Sequence, residues 1–330
     1  MKRDLSTLFV IIKILLGIGL LVYLSLSGAI DWKMLQGLIR AWDKTLAAFS
    51  LLLLGLGMTG WRLCLLMRPS GFYLSVWSSM KLTLIGTFFN ICLPGATGGD
   101  AVRIYYAIGG NQGRRMEVAT ILLFDRIIGL FALLILPLLM APLYPEQIME
   151  FGILGGLLWS ALALAVMIFG VVMLSIFIDI REWFILSWIL RKGPIGVYLG
   201  RIIETIRVYR RTPLTLLAAT GMSLVIHTIT IGVILVIIHA VNAEEFSWFM
   251  CIVIPIGLLA NALPLTPGGL GVGEAAFDIL FRSLNLTGGA EALLGWRFLM
   301  IAAGMLGLFF YLRGKERFVH VSLPLEKPSS

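Results

Sequence analysis

Charge is what this sequence has least of. Only 13% of its 330 residues are Asp, Glu, Lys or Arg, where an average soluble domain has about 25%. Hydrophobic residues make up 59%, and the mean hydropathy is +0.97. That balance excludes a soluble enzyme and a disordered chain. It also excludes a nucleic-acid binder despite the net charge of +8, because a basic excess in so apolar a chain marks the cytoplasmic loops of a membrane protein. Cysteine is scarce too: Cys64, Cys92 and Cys251 all lie inside apolar runs, without CxxC spacing or the loop positions of a disulfide framework. No P-loop, DxD, HExxH or Cys/His cluster occurs, so neither a metal nor another cofactor is called for.

What is abundant is long apolar sequence. A spanning helix needs about 20 mostly apolar residues to cross about 30 Å of hydrocarbon. Six segments qualify: Leu8–Leu26, Leu46–Met67, Val118–Leu139, Ile153–Ile178, Leu214–His239 and Ala290–Leu312. The first follows Met1-Lys2-Arg3. It is too long for a signal-peptide core and no small-residue cleavage site follows, which makes it a retained anchor.

Val76–Leu93 and Trp248–Leu263 behave differently. Each runs into a Pro-Gly-rich break, at Pro94–Gly99 and Pro264–Gly269, followed by a segment too brief to cross alone. Broken helices at membrane depth require protein or a wet cavity around the freed backbone, so these breaks predict re-entrant hairpins. Loop charge sets their orientation. Asp179–Arg211 and the tail beyond Leu312 are rich in Arg and Lys, whereas Met140–Glu150 and Ala240–Ser247 carry only Glu. Both termini and both flanks of the first break are therefore expected in the cytoplasm, and both flanks of the second outside. Ile195–Arg211 has Leu199, Ile202, Ile203, Ile206 and Tyr209 at helical spacing. This is either an amphipathic helix on an anionic leaflet or a connector packed on the bundle.

The two breaks repeat one pattern. Asn90, Pro94, Gly98 and Gly99 answer to Asn261, Pro264, Gly268 and Gly269, with Pro267 added in the second; Pro94 and Pro264 lie 170 positions apart, Arg126 and Arg297 171. Two spans precede each break and one follows, and an odd number of crossings inverts the second half. The expected fold class is an all-α polytopic membrane protein with about six full spans and two re-entrant hairpins in an inverted-topology repeat. It forms one transmembrane domain over 1–330. The first repeat covers 1–141 and the second 151–313, with a cytoplasmic connector at 179–212 and a tail at 314–330.

The return helix of each hairpin would begin at Asp100–Arg103 and at Leu270–Glu274. Its free N–H groups and positive dipole end make a seat for an anion. Arg126 and Arg297 sit inside spans, where a charge costs about 2.5–3.5 kcal/mol and must find a partner. Arg103, Arg126 and Arg297 are the candidate phosphate contacts, and Asp100, Asp125 and Glu274 the charge partners or proton carriers, with Asp278 a further candidate. Structural ion pairs and helix-terminal acids are the competing reading. His227 reads as a hydrogen-bonded packing residue, and Asn90 and Asn261 as ties for backbone freed at the breaks. Asn285-Leu-Thr287 matches a glycosylation sequon by chance. Trp32 and Trp248 mark the membrane interface.

Gly98-Gly99-Asp100-Ala-Val-Arg103, Asp125-Arg126 with Gly129, and Pro267-Gly-Gly-Leu-Gly-Val-Gly-Glu274 resemble the lysylphosphatidylglycerol synthetase transmembrane (flippase-domain) family over about residues 5–315. The resemblance implies a membrane domain that moves a phospholipid between leaflets. No soluble synthetase domain follows, so lipid aminoacylation is not expected of this chain. Gly273 stands where the family often has a basic residue. The expected function is thus a lipid translocase of the plasma (inner) membrane, acting on a phospholipid or polyprenyl-phosphate-type lipid and not an enzyme. A membrane transferase on a lipid-linked substrate and a small-anion or solute carrier are the alternatives. A homo-oligomer is compatible with the sequence, which shows no readable dimer face.

Overall fold

The computed structural model describes residues 32–92, 98–108, 114–177, 202, 204–241, 248–262, 272–313 and 320–321. The anchor over Leu8–Leu26, most of the connector and, at the breaks, Pro94, Pro264, Pro267, Gly268 and Gly269 lie outside them. In the described residues the chain is almost wholly helical, as expected of backbone that must satisfy its own polar groups in lipid. In chain order the helices are α1 (Trp32–Arg40), α2 (Trp42–Met67), α3 (Val76–Cys92), α4 (Gly98–Ile108), α5 (Arg115–Met140), α6 (Pro145–Glu150), α7 (Gly152–Phe177), α8 (Pro213–Val241), α9 (Met250–Asn261), α10 (Val272–Ser283) and α11 (Gly289–Arg313). Two short strands, β1 (Phe72–Tyr73) and β2 (His320–Val321), pair antiparallel.

Among the described residues five helices, α2, α5, α7, α8 and α11, are long and apolar enough to cross a membrane. They coincide with five of the six expected spans, and the chain is an all-α polytopic membrane protein. By contrast, α4 and α10 have 11 and 12 residues. At 1.5 Å per residue they reach about 17 Å, half of what a crossing needs. The most apolar span is α7, with a mean hydropathy of 2.6. Trp159, Val166 and Phe169 are exposed along it, as on a helix that meets lipid on most sides.

The chain forms two compact units. One joins Gly57–Leu82, Ile104–His227 and Arg317–Ser330. Its core gathers Leu63, Leu66, Met67, Phe72, Ile121 and Phe124 around Tyr209. Tyr209 stacks on Phe124 with centroids 5.1 Å apart and donates its hydroxyl to Leu66 O at 2.7 Å. Burial pushes the phenol pKa up, and the Asp125 carboxylate acts in the same direction. The described part of Ile195–Arg211 is therefore a connector packed on the bundle. Tyr209→Phe leaves the Leu66 carbonyl without its donor, at about 1–3 kcal/mol; a melting temperature lowered in detergent, with fluorescence of the fold unchanged at low temperature, is the expected result.

After α2 a turn over Arg68–Ser70 ends on Gly71, whose φ of 77° suits only a residue without Cβ. The turn leads into β1, where Phe72 pairs with Val321 and Tyr73 with His320. Residues 320–321, in the expected tail, thus return to the loop between α2 and α3.

The other unit joins Met1–Leu56, Thr83–Arg103 and Thr228–Glu316. Within it α9 and α11 both pack on α10. Helix α3 runs antiparallel against α11, with Phe88 beside Gly304 and Leu84 beside Gly307. A Cβ on Gly307 would collide with the Leu84 carbonyl, so this approach requires glycine. Helix α10 closes through Leu286 N–H to Phe281 O and Asn285 N–H to Arg282 O, with Asn285 at φ 57°. That is a Schellman end with asparagine in its left-handed position, which gives Asn285 a structural role independent of the sequon.

Candidate functional site

Helices α3 and α4 make the first candidate half-site. The Gly99 N–H donates to Asn90 Oδ1 at 2.9 Å, so Asn90 does tie down the first turn after the break. A Cβ on Gly99 would run into the Gly86 carbonyl and lie 2.6 Å from Asn90 Oδ1. One turn further, the stem of Arg103 crosses Gly86, with Cδ 2.5 Å from where a Gly86 Cβ would stand. Arg103 Nη1 reaches Asp100 Oδ1 at 3.3 Å, and the two residues are only 7% and 9% exposed. Arg103 Nε and Nη2 are buried without a hydrogen-bond partner among the described residues. A guanidinium presents one N–H at Nε and two at Nη2. Three donors thus stand unsatisfied beside the N-terminus of α4.

Helices α9, α10 and α11 make the second. Arg297 Nη2 donates to Asn261 Oδ1 at 2.7 Å, and Nε lies 2.5 Å from Glu274 Oε1. Asn261 therefore holds an arginine where Asn90 holds backbone. A Cβ on Gly273 would strike Asn261 Oδ1 and lie 2.9 Å from Arg297 Nη2, so a side chain there would have to displace these two side-chain ends.

The contacts also set the register between the halves. Gly86 and Asn90 answer to Gly257 and Asn261, 171 positions on; Gly99 and Arg103 answer to Gly273 and Phe277, 174 on. Asp100 thus matches Glu274, whereas spacing alone pairs Gly99 with Gly269. The second turn has three additional residues, and the cation comes from α4 in the first half-site but from α11 in the second. Arg297 lies seven residues before Gly304, and Cys92 four after Phe88. Antiparallel packing therefore carries Arg297 about 4–5 Å past the end of α3, to the level of the first break.

Asp125 and Arg126 belong to the other unit. Asp125 accepts from Arg62 Nε at 2.8 Å, and Arg62 Nη1 donates to Ser223 Oγ at 2.7 Å. All three are buried. Sequence reasoning missed Arg62, five residues from the end of α2 and deep in its apolar stretch. His227 Nε2–H donates to Gly129 O at 2.9 Å, the packing role expected of it. Asp278 is not part of a buried network: it pairs at 3.0 Å with Arg282 on the same exposed face of α10.

At the ends of α2 and α5, a cleft of about 530 Å³ is lined by Ser70, Arg114, Glu117, Glu204 and Thr205, among others. Arg114 donates to Ser70 O at 2.7 Å, pairs with Glu117 and lies over the Phe72 ring. Among the described residues no group of three or more His, Cys, Asp or Glu side chains could hold a metal. What the half-sites offer is directional N–H donors in a dry setting, suited to binding and neutralising an anion.

The family model described as "Lysylphosphatidylglycerol synthase TM region" matches residues 10–307. No curated protein matches the chain, and no solved structure does.

Proposed function

The chain belongs to the lysylphosphatidylglycerol synthase TM family, and from that membership we propose that it is a translocase moving a phosphate-bearing lipid between leaflets. The observation that carries this reading is Arg103, a buried guanidinium with three donors that meet no partner among the described residues, beside a helix N-terminus. A phosphate oxygen would complete it, while Asp100 keeps the cation tolerable when no lipid is bound. Arg297 supplies the second contact by exchanging Glu274 for the headgroup, and Arg126 keeps the role its repeat position assigns.

The lipid tails stay in the bilayer as the headgroup passes between two re-entrant hairpins. Support for re-entrance comes from the Arg114–Ser70 hydrogen bond, which joins the chain before α3 to the chain after α4. An intervening pair of helices that begins and ends together, one of them about 17 Å long, dips into the membrane and returns. Rocking of one repeat against the other would alternate access, driven by a gradient or by lipid imbalance. The localisation that fits is the plasma (inner) membrane with both termini cytoplasmic.

The test is transfer of fluorescent phospholipids and polyprenyl phosphates in proteoliposomes at matched reconstitution. Arg103→Ala, Arg126→Ala and Arg297→Ala should each lose transport, Arg103→Ala by about a hundredfold, the scale of a lost preorganised donor. Arg103→Lys should restore part of it. No transport of any lipid by the wild type, with product formed from a lipid-linked donor, would replace the translocase by a transferase.

A further inference from the structure

Six arginines gather at the end of the unit that holds the cleft. Arg68 belongs to the turn after α2, Arg114 and Arg115 open α5, and Arg207, Arg210 and Arg211 lead into α8. The turn Arg68–Ser70 packs against Val208–Arg211, and Arg114 donates to Ser70 O, so the three groups meet. Their acidic neighbours in the cleft lining are Glu117 and Glu204. This excess has the wrong sign for the helices it adjoins. The N-termini of α5 and α8 are positive dipole ends, which a cation destabilises and an anion stabilises. Helix α8 has no acid in its first turn to compensate.

Four of the arginines are unspent. Arg68, Arg115, Arg210 and Arg211 are exposed, and their guanidinium groups have no hydrogen-bond or ion-pair partner among the described residues. In a 3-10 turn residues three apart stand on one face, so Arg211 is beside Val208, which lines the cleft. Arg114 is clamped instead: Nε and Nη2 serve Glu117 and Ser70, and the guanidinium lies over the Phe72 ring. Its Nη1 has no partner among the described residues. Ser70 Oγ, also in the cleft lining, is buried without one. Next to the arginines the surface turns apolar. Leu214 and Leu217 are exposed in the first turns of α8, and Tyr73 and Trp77 after the Arg68–Ser70 turn. Amphipathic aromatic rings sit at the headgroup level of a bilayer, and exposed leucines beside them are covered by acyl chains. Cations bordering apolar surface complement the phosphate and tails of a lipid, whereas a soluble anion has no use for the leucines.

We propose that this end of the chain holds a resident anionic phospholipid of the adjoining leaflet. Its phosphate lies on Arg68, Arg115, Arg210 and Arg211, and its headgroup enters the cleft. A volume of about 530 Å³ admits a hydroxylated headgroup, for which Arg114 Nη1 and Ser70 Oγ supply hydrogen bonds. The lipid neutralises the arginines and the two helix N-termini together. It is bound and not carried, in the unit that lacks Arg103 and Arg297, so the proposal stands whether or not the translocase reading does.

The test uses the full chain, stripped of lipid in a neutral detergent. It is titrated with phosphatidylglycerol, with phosphatidylcholine of the same acyl chains and with inorganic phosphate, while retained lipid is counted by mass spectrometry and melting is followed. Phosphatidylglycerol should raise the melting temperature and bind at least about tenfold more tightly than phosphatidylcholine. Arg68→Gln, Arg115→Gln, Arg210→Gln and Arg211→Gln should each weaken its retention about fivefold, the scale of one basic residue at an anionic surface. None should lower the melting temperature of the lipid-free protein, because these side chains hold no partner among the described residues. Arg40→Gln, which removes an exposed arginine of the other unit, should leave retention as it is. Equal retention of the two lipids, or equal weakening by Arg40→Gln, overturns the proposal. So does retention that responds to Arg103→Ala and ignores the four arginines. Displacement of the lipid by inorganic phosphate overturns the lipid assignment in favour of a soluble phosphate. Retention that follows the arginines in a chain that transfers no lipid would leave this proposal intact and remove only the translocase reading.

Discussion

Alanine at Gly99 is expected to stop lipid transfer and to loosen the first hairpin. The new methyl would collide with the Gly86 carbonyl, which belongs to helix backbone and has no rotamer to turn away. Helix α4 would have to back off from α3, lengthening the Gly99–Asn90 bond and carrying Asp100 and Arg103 with it. Overpacking of this kind costs about 1–3 kcal/mol, and a shift of about 1 Å in a binding group costs about a hundredfold in rate. Melting in detergent and transfer in proteoliposomes should both register the change. Gly273→Ala should have a milder effect of the same kind, since its methyl meets the side-chain ends of Asn261 and Arg297 rather than backbone. Gly156→Ala on α7 is the control, because a Cβ there meets nothing within 4 Å. Equal transfer by Gly99→Ala and Gly156→Ala would show that the close approach of α3 and α4 does not matter for transport.

The second large effect concerns Arg297 and Glu274. Their side chains are 9% and 13% exposed, so removing one strands the other in a dry environment. Breaking a buried pair from one side costs about 3–5 kcal/mol, and Arg297→Ala also deprives Asn261 of its donor. A large fall in melting temperature is expected for Arg297→Ala. Combining it with Glu274→Ala should recover most of that fall, because no buried charge remains. Transport should not recover, since the double variant still lacks the headgroup contact proposed for Arg297. A double variant as unstable as the single one would mean that packing of the arginine stem, rather than charge, holds α10 on α11.

Much of this architecture was legible in the sequence because hydrocarbon imposes one rule on every residue of a span. Five long apolar helices fall where length and hydropathy put them, and α4 and α10 are short where the Gly-Pro breaks interrupt the runs. Asp100, Arg103, Glu274 and Arg297 could be suspected because charge stands out against an apolar background. Pairing across the fold carries no such local mark. Arg62 meets partners 63 and 161 positions away, and nothing near it in the sequence distinguishes it from an interfacial arginine. The register of the second hairpin was misleading for another reason. Glycine doublets align by eye, whereas the contacts align glycines that oppose an asparagine, and the two answers, Gly269 and Gly273, lie four residues apart. Asp278 illustrates the converse: a carboxylate in the right stretch of sequence, turned outward by helix periodicity towards Arg282.

The pairing of β1 with β2 makes the chain from Phe72 to Val321 a closed circuit. A seam of two residue pairs is weak, and local opening of so short a ladder is far easier than global unfolding. Its position gives it leverage nonetheless: Phe72 lies under the Arg114 guanidinium, which also holds Ser70 and Glu117 at the rim of the cleft. Clipping the tail ahead of His320 should therefore leave the spans standing while altering access to that rim. A tag fused at the far end of the chain pulls on the same seam, so its placement is an experimental variable for every assay described above.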